Sequence, residues 1–499
     1  MKIFLSLALA AFSLQAAETA PFPVLPSLPP AVLPEGYTVQ TIAPPKGVAF
    51  SVTGLDCGAD GSVWVCTREG AVWRLKSGTW SLFADGLQEP CGLLLDRKDG
   101  QETGAVFVAQ KPELTELRDS DGDGLADEHR CVYQTVTSGN YHEFHYGPVR
   151  DAVGNFYGTL NLAHTNAGAA FQPQFTVHGV FMGSFPGSFR GTAYKAAADG
   201  KNFEPVAWGL RSPCGVGMMA DGKLLYTENQ GDYMPDSFLA VVEKGQFYGH
   251  PSGLLNHPDY QGKKLESFSD QEWAAKRVPP AVWIIHDELA NSPGEPREDL
   301  TGGKFGPFAG QIFIGDQTKS NLIRCTLQQV KGQWQGCCID FINHFRSGVV
   351  RNAFAADGAL WVGETGRGWG SVGDLPFGLE RVTWDGKTVP FCIKDIKLEK
   401  GGFRISFTKP VDPASLDVSK IGVRRWTYNF THAYGSPHVE QKTVPAEGLQ
   451  IAADGHSLFF SAELVKRRVY HLSLPALRSV EGKPLSVNHG YYTLNETLD

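Results

Sequence analysis

A loose repeat runs through most of the chain and limits the fold more than any other sequence feature. Each copy has an apolar run, a tight turn, a strand of alternating apolar residues and then polar residues. The clearest copies are GLDCGADGSVWVCTREGAVWRL (54–75), PCGVGMMADGKLLYTENQG (213–231) and VVRNAFAADGALWVGETG (349–366). A variant lies at 145–161, and two looser copies lie at 90–110 and 307–327.

Short strands that recur between Gly and Asp turns are typical of a β-propeller, whose blades bury their faces against neighbouring blades. We therefore predict an all-β chain in which residues 46–388 form a six-bladed β-propeller. A β-sandwich is the alternative for these residues. Two interruptions, at 162–190 and 249–306, lack clean periodicity. Long loops of this kind on a rigid scaffold tend to carry binding function.

The sequence changes character after residue 388. Residues 392–417 and 449–475 both alternate apolar and polar side chains with a period of two. A strand with one buried face has this period. We predict a separate β-sandwich over residues 389–499, similar to the bacterial Ig-like modules that are appended to exported enzymes and that space or dock them.

The N-terminus has the pattern of a signal peptide. Lys2 precedes an apolar run that ends at Leu14, and Ala16 and Ala17 offer a cleavage site. We predict a signal peptide over residues 1–17 and an extended, proline-rich arm over 18–45. Since no other stretch approaches about 18 consecutive apolar residues, we expect a periplasmic or secreted protein without a membrane span.

The net charge limits the classes of partner that the chain can bind. The chain has 53 acidic and 45 basic residues and a formal net charge of -8, which offers no basic stripe for nucleic acid. Small or neutral partners are expected instead.

Among nine cysteines, Cys57 and Cys66 flank a turn and a strand, so we predict a disulfide between them. The sequence contains no CxxCH motif for covalent haem and no CxxC motif for a zinc ribbon.

An acidic stretch, DSDGDGLADEHR (119–130), has the spacing of a calcium loop. Carboxylates at alternating positions converge oxygens on a hard cation, and Gly124 allows the sharp turn. The predicted calcium ligands are Asp119, Asp121, Asp123, the carbonyl of Leu125, and Asp127. Arg130 stands where an EF-hand has a bidentate glutamate, so a shorter calcium-bound loop is favoured over an EF-hand. A solvated acidic turn is the alternative.

Catalytic motifs are scarce. The sequence lacks GxSxG, Walker A and HExxH motifs, although HEFH at 142–145 resembles the last of these. On a strand, His142 and His145 would face opposite sides, so they do not form a helical zinc pair. Each is a candidate general base. The alternative is a structural histidine whose ring nitrogens form hydrogen bonds within a propeller strand.

Residues 190–251 resemble the central segment of the glucose/sorbosone dehydrogenase family. The matching phrases are Gly-Leu-Arg-Ser-Pro at 209–213, Glu-Asn-Gln-Gly at 228–231 and Phe-Tyr-Gly-His-Pro at 247–251. The resemblance implies an exported six-bladed propeller that oxidises a sugar or alcohol with pyrroloquinoline quinone (PQQ) and calcium. It also implies a periplasmic electron acceptor.

The same resemblance assigns roles to individual residues. Arg211, Ser212, Gln230, Lys319, Arg351 and Glu364 match cofactor-binding positions, and Gly231 and Asp232 match a calcium site. His142, and after it His145, match the position of the base that removes the hydroxyl proton. If an acidic cofactor is bound, Arg211, Lys319 and Arg351 should converge on one cavity. The chain also departs from the family. Pro90 and Cys91 replace a cofactor-contacting Gln, Tyr141 replaces an acid, Ser212 stands where an Asn is common, and Glu364 replaces an expected Asp.

Three functions therefore remain open at this stage. The resemblance favours a PQQ-dependent dehydrogenase. A calcium-dependent lactonase or hydrolase would need Glu228 and Glu364 as metal ligands. A non-catalytic carbohydrate-binding or docking protein is compatible with the departures at 90–91 and with the Ig-like tail.

Overall fold

Six antiparallel β-sheets form a ring, in which the first strand of each sheet contacts the first strand of the next. The computed structural model describes residues 22, 24, 25, 33–165 and 176–498. The predicted signal peptide lies outside these residues. We call the six sheets blades 1 to 6 in chain order. Their radial arrangement is that of a β-propeller, and the prediction of an all-β chain is confirmed.

Each blade has four main strands. Blade 1 comprises Val52–Cys57, Val63–Thr67, Val72–Lys76 and Thr79–Ala84. Blade 2 comprises Leu93–Lys98, Gln101–Gln110, Glu113–Arg118 and Glu128–Gln134. Blade 3 comprises His145–Arg150, Phe156–Leu160, Thr192–Ala196 and Glu204–Trp208, with the short strand Gln246–Phe247 parallel to its edge.

Blades 4 to 6 complete the ring. Blade 4 comprises Gly215–Met218, Leu224–Glu228, Ser237–Val241 and Val282–Ile284. Blade 5 comprises Pro293–Glu298, Ile312–Asp316, Asn321–Val330 and Gln333–Ile342. Blade 6 comprises Val349–Phe354, Leu360–Thr365, Phe377–Trp384 and, as its outer strand, Tyr37–Thr41.

The outer strand of blade 6 comes from the opposite end of the chain. Tyr37 pairs with Trp384 and Thr41 with Glu380 in an antiparallel register. The ring is thereby closed by a segment that precedes the predicted propeller boundary at residue 46. Part of the proline-rich stretch that was predicted as an extended arm is thus a propeller strand.

The blades form because their strands are apolar on both faces. The strand Val63–Thr67 (VWVCT) is fully buried, as is Ile312–Asp316 (IFIGD). Apolar clusters fill the spaces between neighbouring blades; one joins Leu55 of blade 1 to Trp361 of blade 6. Burial of apolar surface contributes about 25 cal/mol per Å². The interfaces between blades are therefore the main source of stability.

Two segments interrupt the blades. Within blade 3, a short hairpin pairs Ala163–His164 with Met182–Gly183. Within blade 4, the chain forms three short 3₁₀ turns and one α-helix, which are Pro251–Leu254, Pro258–Tyr260, Leu265–Ser267 and Asp270–Lys276. Ser269 and Glu272 form a capping box at the start of the α-helix. Among the described residues, no helix is long and apolar enough to cross a membrane.

The C-terminal residues form two further sheets. One contains Ile393–Glu399, Gly402–Phe407, Ser457–Ser461 and Glu447–Ile451, and the other contains His489–Leu494, Arg468–Ser473, Gly422–Thr427 and Val439–Thr443. Short 3₁₀ turns occur at Pro413–Ser415 and Val418–Lys420. Apolar side chains of both sheets share one core.

The C-terminal sheets are not separate from the propeller, contrary to the sequence prediction. Cys337 in the last strand of blade 5 pairs with Tyr492, so blade 5 and one C-terminal sheet form a continuous eight-stranded sheet. The two hairpin strands of blade 5 are each 10 residues long, and their extra length provides this edge. Val330 and Ile339 of the hairpin also enter the C-terminal core.

The predicted disulfide between Cys57 and Cys66 is wrong. In the blade 1 hairpin Cys57 pairs with Val63, while Cys66 pairs with Gly54. The two cysteines therefore lie three pairs apart, or about 10 Å at ~3.4 Å per residue, whereas a disulfide needs Cα atoms within about 7 Å. Both thiols are free and buried.

Candidate functional site

A cavity of about 670 Å³ lies at the axis of the ring. Every blade contributes to it near the start of its first strand, through Thr53, Cys91, Tyr146, Cys214, Ser292 and Val350. Its volume falls within the range of about 300–1,000 Å³ that small-molecule sites have. The cavity is therefore the candidate functional site.

Arg351 forms the floor of this cavity. Its Nε donates to the carbonyl of Thr53 at 2.8 Å, and its Nη2 donates to that of Cys91 at 3.0 Å. Its Nη1 donates to the carbonyls of Cys214 at 3.1 Å and Val350 at 2.6 Å. These contacts join blades 1, 2, 4 and 6.

The other two blades also contact the Arg351 side chain. Its guanidinium lies 5.1 Å from the ring centre of Tyr146 in blade 3 and 4.0 Å from the carboxylate of Glu295 in blade 5. Arg351 is 3% exposed. One buried cation thus contacts all six blades.

Arg211 lies in the cavity wall as part of a buried charged group. Its Nε donates to Asp232 Oδ1 at 2.5 Å, and Asp232 Oδ2 lies 3.0 Å from His250 Nε2. Burial alone would raise the pKa of Asp232, but Arg211 and His250 lower it overall. The same Asp232 Oδ2 also accepts from the backbone N–H of Met182 at 3.1 Å.

The calcium site that the resemblance places at Gly231 and Asp232 does not fit this geometry. The Gly231 carbonyl already accepts the backbone N–H groups of Met234 at 3.0 Å and Gly435 at 2.9 Å. Both oxygens of Asp232 are occupied by Arg211, His250 and Met182. A Cβ on Gly231 would lie 2.1 Å from Arg211 Cζ, so a guanidinium fills the space beside this turn.

His142 lines the cavity with one ring nitrogen directed to it. Its Nδ1 lies 2.9 Å from the carbonyl of Leu162, which acts only as an acceptor, so Nδ1 carries the hydrogen. The opposite nitrogen, Nε2, lies 3.4 Å from Ser212 Oγ. Burial lowers the pKa of His142 to about 3. The imidazole is thus neutral near pH 7, and Nε2 is its unprotonated nitrogen, which accepts from the Ser212 hydroxyl.

Comparisons with known proteins identify the fold of this chain and do not establish its function. Residues 76–288 match a family model that is described as a domain of unknown function, DUF7133. No curated protein matches the sequence. Solved structures do match. The soluble aldose sugar dehydrogenase of Escherichia coli, in its apo-form, is 16% identical with a TM-score of 0.50, over 70% of this chain and 99% of that one.

Two further structures are similar. The calcium structure of the Trichoderma reesei carbohydrate-active enzyme of family AA12 is 14% identical with a TM-score of 0.50, over 73% of this chain and 99% of that one. The PQQ-bound aldose sugar dehydrogenase of Streptomyces coelicolor is 16% identical with a TM-score of 0.48, over 70% and 99%. The chain has the fold of aldose sugar dehydrogenase. The resemblance that residues 190–251 carry is confirmed at this level.

The structure brings together five of the residues that the sequence singled out around the axis. His142, Arg211, Ser212, Gln230 and Arg351 all line the cavity. They come from distant parts of the chain, because each blade turns its first strand toward the same axis.

Three other predicted residues lie away from the described lining of the cavity. Lys319 donates to the carbonyl of Asp287, and its neighbour Thr318 lines the cavity instead. Glu364 is buried within blade 6, where Oε2 accepts the N–H of Ser347 at 2.7 Å, and Thr365 takes the lining position. Glu364 and Thr365 lie in one strand, where successive side chains point to opposite sides, whereas Thr318 and Lys319 lie in the turn after Asp316.

His145 is the third. Its Nδ1 lies 3.0 Å from the carbonyl of Gln110, and its Nε2 lies 2.7 Å from Tyr194 Oη. The ring is buried between blades 2 and 3, and burial lowers its pKa to about 3. His145 is a packed structural residue there, so of the two predicted histidines His142 alone lines the cavity.

The acidic loop also lies elsewhere. Residues 119–127 connect the third and fourth strands of blade 2 at the exposed outer edge, and do not lead directly to His142. Oxygens of Asp119, Asp121 and Asp123 lie within 4.8 Å of one another. Leu125 is exposed, and Asp127 accepts both the N–H and the hydroxyl of Ser120. Calcium binding at this loop stays a prediction.

Sequence reasoning missed two arginines of the cavity. Arg68 and Arg367 both line it, and both lie near Glu89, at 3.3 Å and 3.8 Å. The described lining contains four arginines and no Asp or Glu. The negative partners of these arginines stand behind the wall, so the cavity surface itself is cationic.

Two buried polar atoms of the wall have no hydrogen-bond partner within the described ranges, namely Asn229 Oδ1 and His286 Nδ1. Buried polar groups are almost always paired; these two atoms are closed off from solvent and lie behind the cavity surface. Asn229 belongs to the Glu-Asn-Gln-Gly phrase at 228–231, whereas His286 belongs to no motif that the sequence analysis singled out.

An aromatic rim surrounds the mouth of the cavity. Four lining residues, Tyr141, Phe181, Trp369 and Tyr434, are between 46% and 59% exposed. Tyr434 belongs to the C-terminal sheets, in the loop of residues 428–438, and its ring lies 5.2 Å from the Arg211 guanidinium. The 428–438 loop is thus part of the site, although the sequence predicted only a spacing or docking role for this module.

Proposed function

We propose that the protein is a dehydrogenase-like oxidoreductase that binds PQQ, or a quinone of the same acidic class, in the axial cavity. The observation that carries the proposal is the cavity surface, which has four arginines and no carboxylate among its described lining residues. An acidic ligand neutralises this surface through charge-assisted hydrogen bonds. The fold of aldose sugar dehydrogenase supports the same class of reaction.

His142 provides the proton acceptor for this reaction. Leu162 holds the Nδ1–H group, so Nε2 accepts the proton of a substrate hydroxyl that reaches it. When bound, PQQ supplies the acceptor for the hydride from the substrate carbon. Arg211 presents a fixed positive charge to the cavity beside Gly231, where the resemblance had placed calcium, and no step of this mechanism uses a calcium ion there.

The aromatic rim favours a small sugar as substrate over a simple alcohol. Aromatic faces bind the apolar face of a sugar ring. We further propose export through the signal peptide at residues 1–17 and transfer of electrons to a periplasmic acceptor. The Ig-like character of residues 389–499 also stays a proposal.

The aromatic rim gives one alternative function a physical basis. A carbohydrate-binding protein without catalysis would use the same four rings and would not need the arginines. The hydrolase alternative has less support, because Glu228 accepts three backbone N–H groups, those of Arg211, Ser212 and Asn229. Neither Glu228 nor Glu364 lies in the described lining of the cavity.

Titration of the purified protein with PQQ, followed by dye-linked oxidation of sugars, tests the proposal. We expect Arg367→Met to weaken PQQ binding about 10- to 100-fold, because a charge-assisted contact is worth about 1.5–3 kcal/mol. Arg367 is 45% exposed at its side chain, so its loss should leave the fold intact. His142→Gln should retain PQQ binding and lose turnover, because a base acts mainly in the transition state.

Lys319→Met is the matched control. It removes a cation from the neighbouring loop, but the Lys319 ammonium is bound to the Asp287 carbonyl outside the described lining. We expect PQQ affinity to stay unchanged. Absence of PQQ binding together with retained sugar binding would replace the dehydrogenase proposal by the carbohydrate-binding alternative.

A further inference from the structure

Three potential metal ligands from distant segments meet near the cavity. His178 precedes the short strand Met182–Gly183, Asp270 begins the α-helix, and His432 lies in the 428–438 loop. One ligand atom from each lies within 4.8 Å of the other two. Neither the repeat pattern nor the oxidoreductase proposal explains why two histidines and a carboxylate converge here.

The contacts inside this cluster leave one carboxylate oxygen unused. His432 Nδ1 lies 2.8 Å from Asp270 Oδ2, and the His432 backbone N–H donates to the same oxygen at 3.2 Å. The other oxygen, Oδ1, lies 3.7 Å from His178 Nδ1. Oδ1 is buried and has no hydrogen-bond partner in the part of the chain that the structure describes. A buried, unpaired carboxylate oxygen requires a compensating group.

The orientation of His178 is that of a metal ligand. Its Nε2 lies 3.2 Å from the carbonyl of Glu266, so Nε2 carries the hydrogen and Nδ1 keeps the lone pair. Metal-binding histidines almost always donate their other ring N–H to a carbonyl or carboxylate in this way. In the structure the lone pair on Nδ1 accepts the hydrogen of the Tyr233 hydroxyl at 2.5 Å, a bond that a bound ion would replace.

We propose that His178, Asp270 and His432 bind a zinc-class divalent metal ion that fastens the 428–438 loop to the propeller. Two imidazoles and one carboxylate suit Zn²⁺ and similar transition metals, whereas calcium prefers oxygen ligands only. His432 is 54% exposed at its side chain, which gives an ion access from solvent. Water would complete the coordination.

The proposed ion acts on the cavity through the loop. His432 stands two residues before Tyr434, whose ring covers Arg211 and forms part of the aromatic rim. The loop is also attached by Tyr428 Oη, which donates to Asp236 at 2.6 Å, and by the N–H of Gly435, which donates to the Gly231 carbonyl. The metal would therefore fix the one rim residue that the C-terminal sheets supply. This inference does not depend on the oxidoreductase proposal.

Calorimetric titration of metal-free protein, without a histidine tag, with Zn²⁺ tests this site. We expect one equivalent to bind to the wild type and the affinity to fall at least about tenfold in His432→Gln, because even outer partners of metal ligands are worth about 10- to 100-fold. Hydrogen–deuterium exchange in residues 428–438 should slow on addition of Zn²⁺ in the wild type only. Bound Co²⁺ should give visible absorption bands that His432→Gln lacks.

His456→Gln is the matched control, since His456 belongs to the same C-terminal sheets and its ring Nδ1 bonds the Phe407 carbonyl at 3.3 Å. It should bind Zn²⁺ as the wild type does. Asp270→Asn, which keeps the size of the side chain and removes its charge, should lose the site as His432→Gln does. Wild-type protein that binds no Zn²⁺, or His432→Gln that binds it equally well, would overturn the proposal and leave a metal-free hydrogen-bonded triad or an adventitious ion only.

Discussion

Arg351 shows how one residue can have a structural role where the sequence suggests a binding role. The resemblance assigns it to the cofactor, and it does line the cavity. Its hydrogen bonds, however, go to four backbone carbonyls of four different blades. The side chain holds the centre of the ring together, and only the face toward the cavity is available to a ligand.

This placement predicts a large loss of stability for Arg351→Met. The substitution leaves four buried carbonyls without their donor, and each unsatisfied buried acceptor costs about 1–3 kcal/mol. Allowing for water that enters, we expect the free energy of unfolding to fall by about 3 kcal/mol or more. Chemical denaturation, followed by intrinsic fluorescence, measures this change.

Arg404→Met provides the comparison for Arg351→Met. Arg404 forms a surface ion pair with Glu399 at 2.6 Å, and such pairs contribute about 0–1 kcal/mol. Its loss should change the unfolding midpoint little. Equal midpoints for the two variants would show that the axial hydrogen bonds contribute no more than a surface pair.

At the scale of single elements, the acidic loop of blade 2 is the clearest separate unit. Its carboxylates accept hydrogen bonds from the loop's own backbone, as when Asp119 accepts the N–H groups of Gly122 at 2.7 Å and Gly124 at 3.0 Å. The loop is exposed and joins the third strand of the blade to the fourth, which is an edge strand. Any ion held there would stabilise blade 2 and would not touch the cavity.

We predict that calcium raises the melting temperature of the wild type and that Asp121→Asn with Asp123→Asn removes this rise. An ion that binds only the folded state stabilises it in proportion to the logarithm of its concentration. Differential scanning calorimetry with calcium and with a chelator measures the effect. A double control, Asp199→Asn with Asp221→Asn, removes the same charge from two other turns and should keep the calcium response, whereas an unchanged response in the loop variant would exclude the loop.

The sequence predicted the elements whose signal is local. Repeats of the type AADGALWV predicted the strands and turns, and the phrases at 209–213 and 228–231 assigned Arg211 and Gln230 to the site. The sequence did not predict the features that depend on strand register or on the direction of a single side chain. The register of blade 1 separates Cys57 from Cys66, and one step along the chain turns Lys319 away from the lining that Thr318 reaches.

At the scale of the whole molecule, the propeller and the C-terminal sheets form one structure. Blade 5 continues into a C-terminal sheet, and the 428–438 loop returns to line the cavity more than 200 residues after Arg211. No local pattern predicts such a contact, because it depends on how two distant sheets are joined. The composition change at residue 388 therefore indicated a change of sheet and not an independent module.

A chain that ends at residue 388 should be unstable or aggregate. Its truncation exposes the edge of Gln333–Ile342 and the apolar side chains of Val330 and Ile339. An uncovered, apolar edge strand pairs readily with other chains. Size-exclusion chromatography and thermal melting of this variant test the expectation, and a monodisperse protein with the melting temperature of the full chain would contradict it.

The position of Arg351 at the floor of the cavity affects the order in which ligands can bind and leave. Arg351 and Tyr146 separate the cavity from a second, small space of about 10 Å³. The aromatic rim is the exposed part of the lining of the main cavity. A large cofactor bound on the Arg351 floor could not dissociate while a sugar is bound between it and the aromatic rim. If the proposed cofactor binds on this floor, we expect an ordered sequence in which the cofactor binds before the sugar and leaves after it.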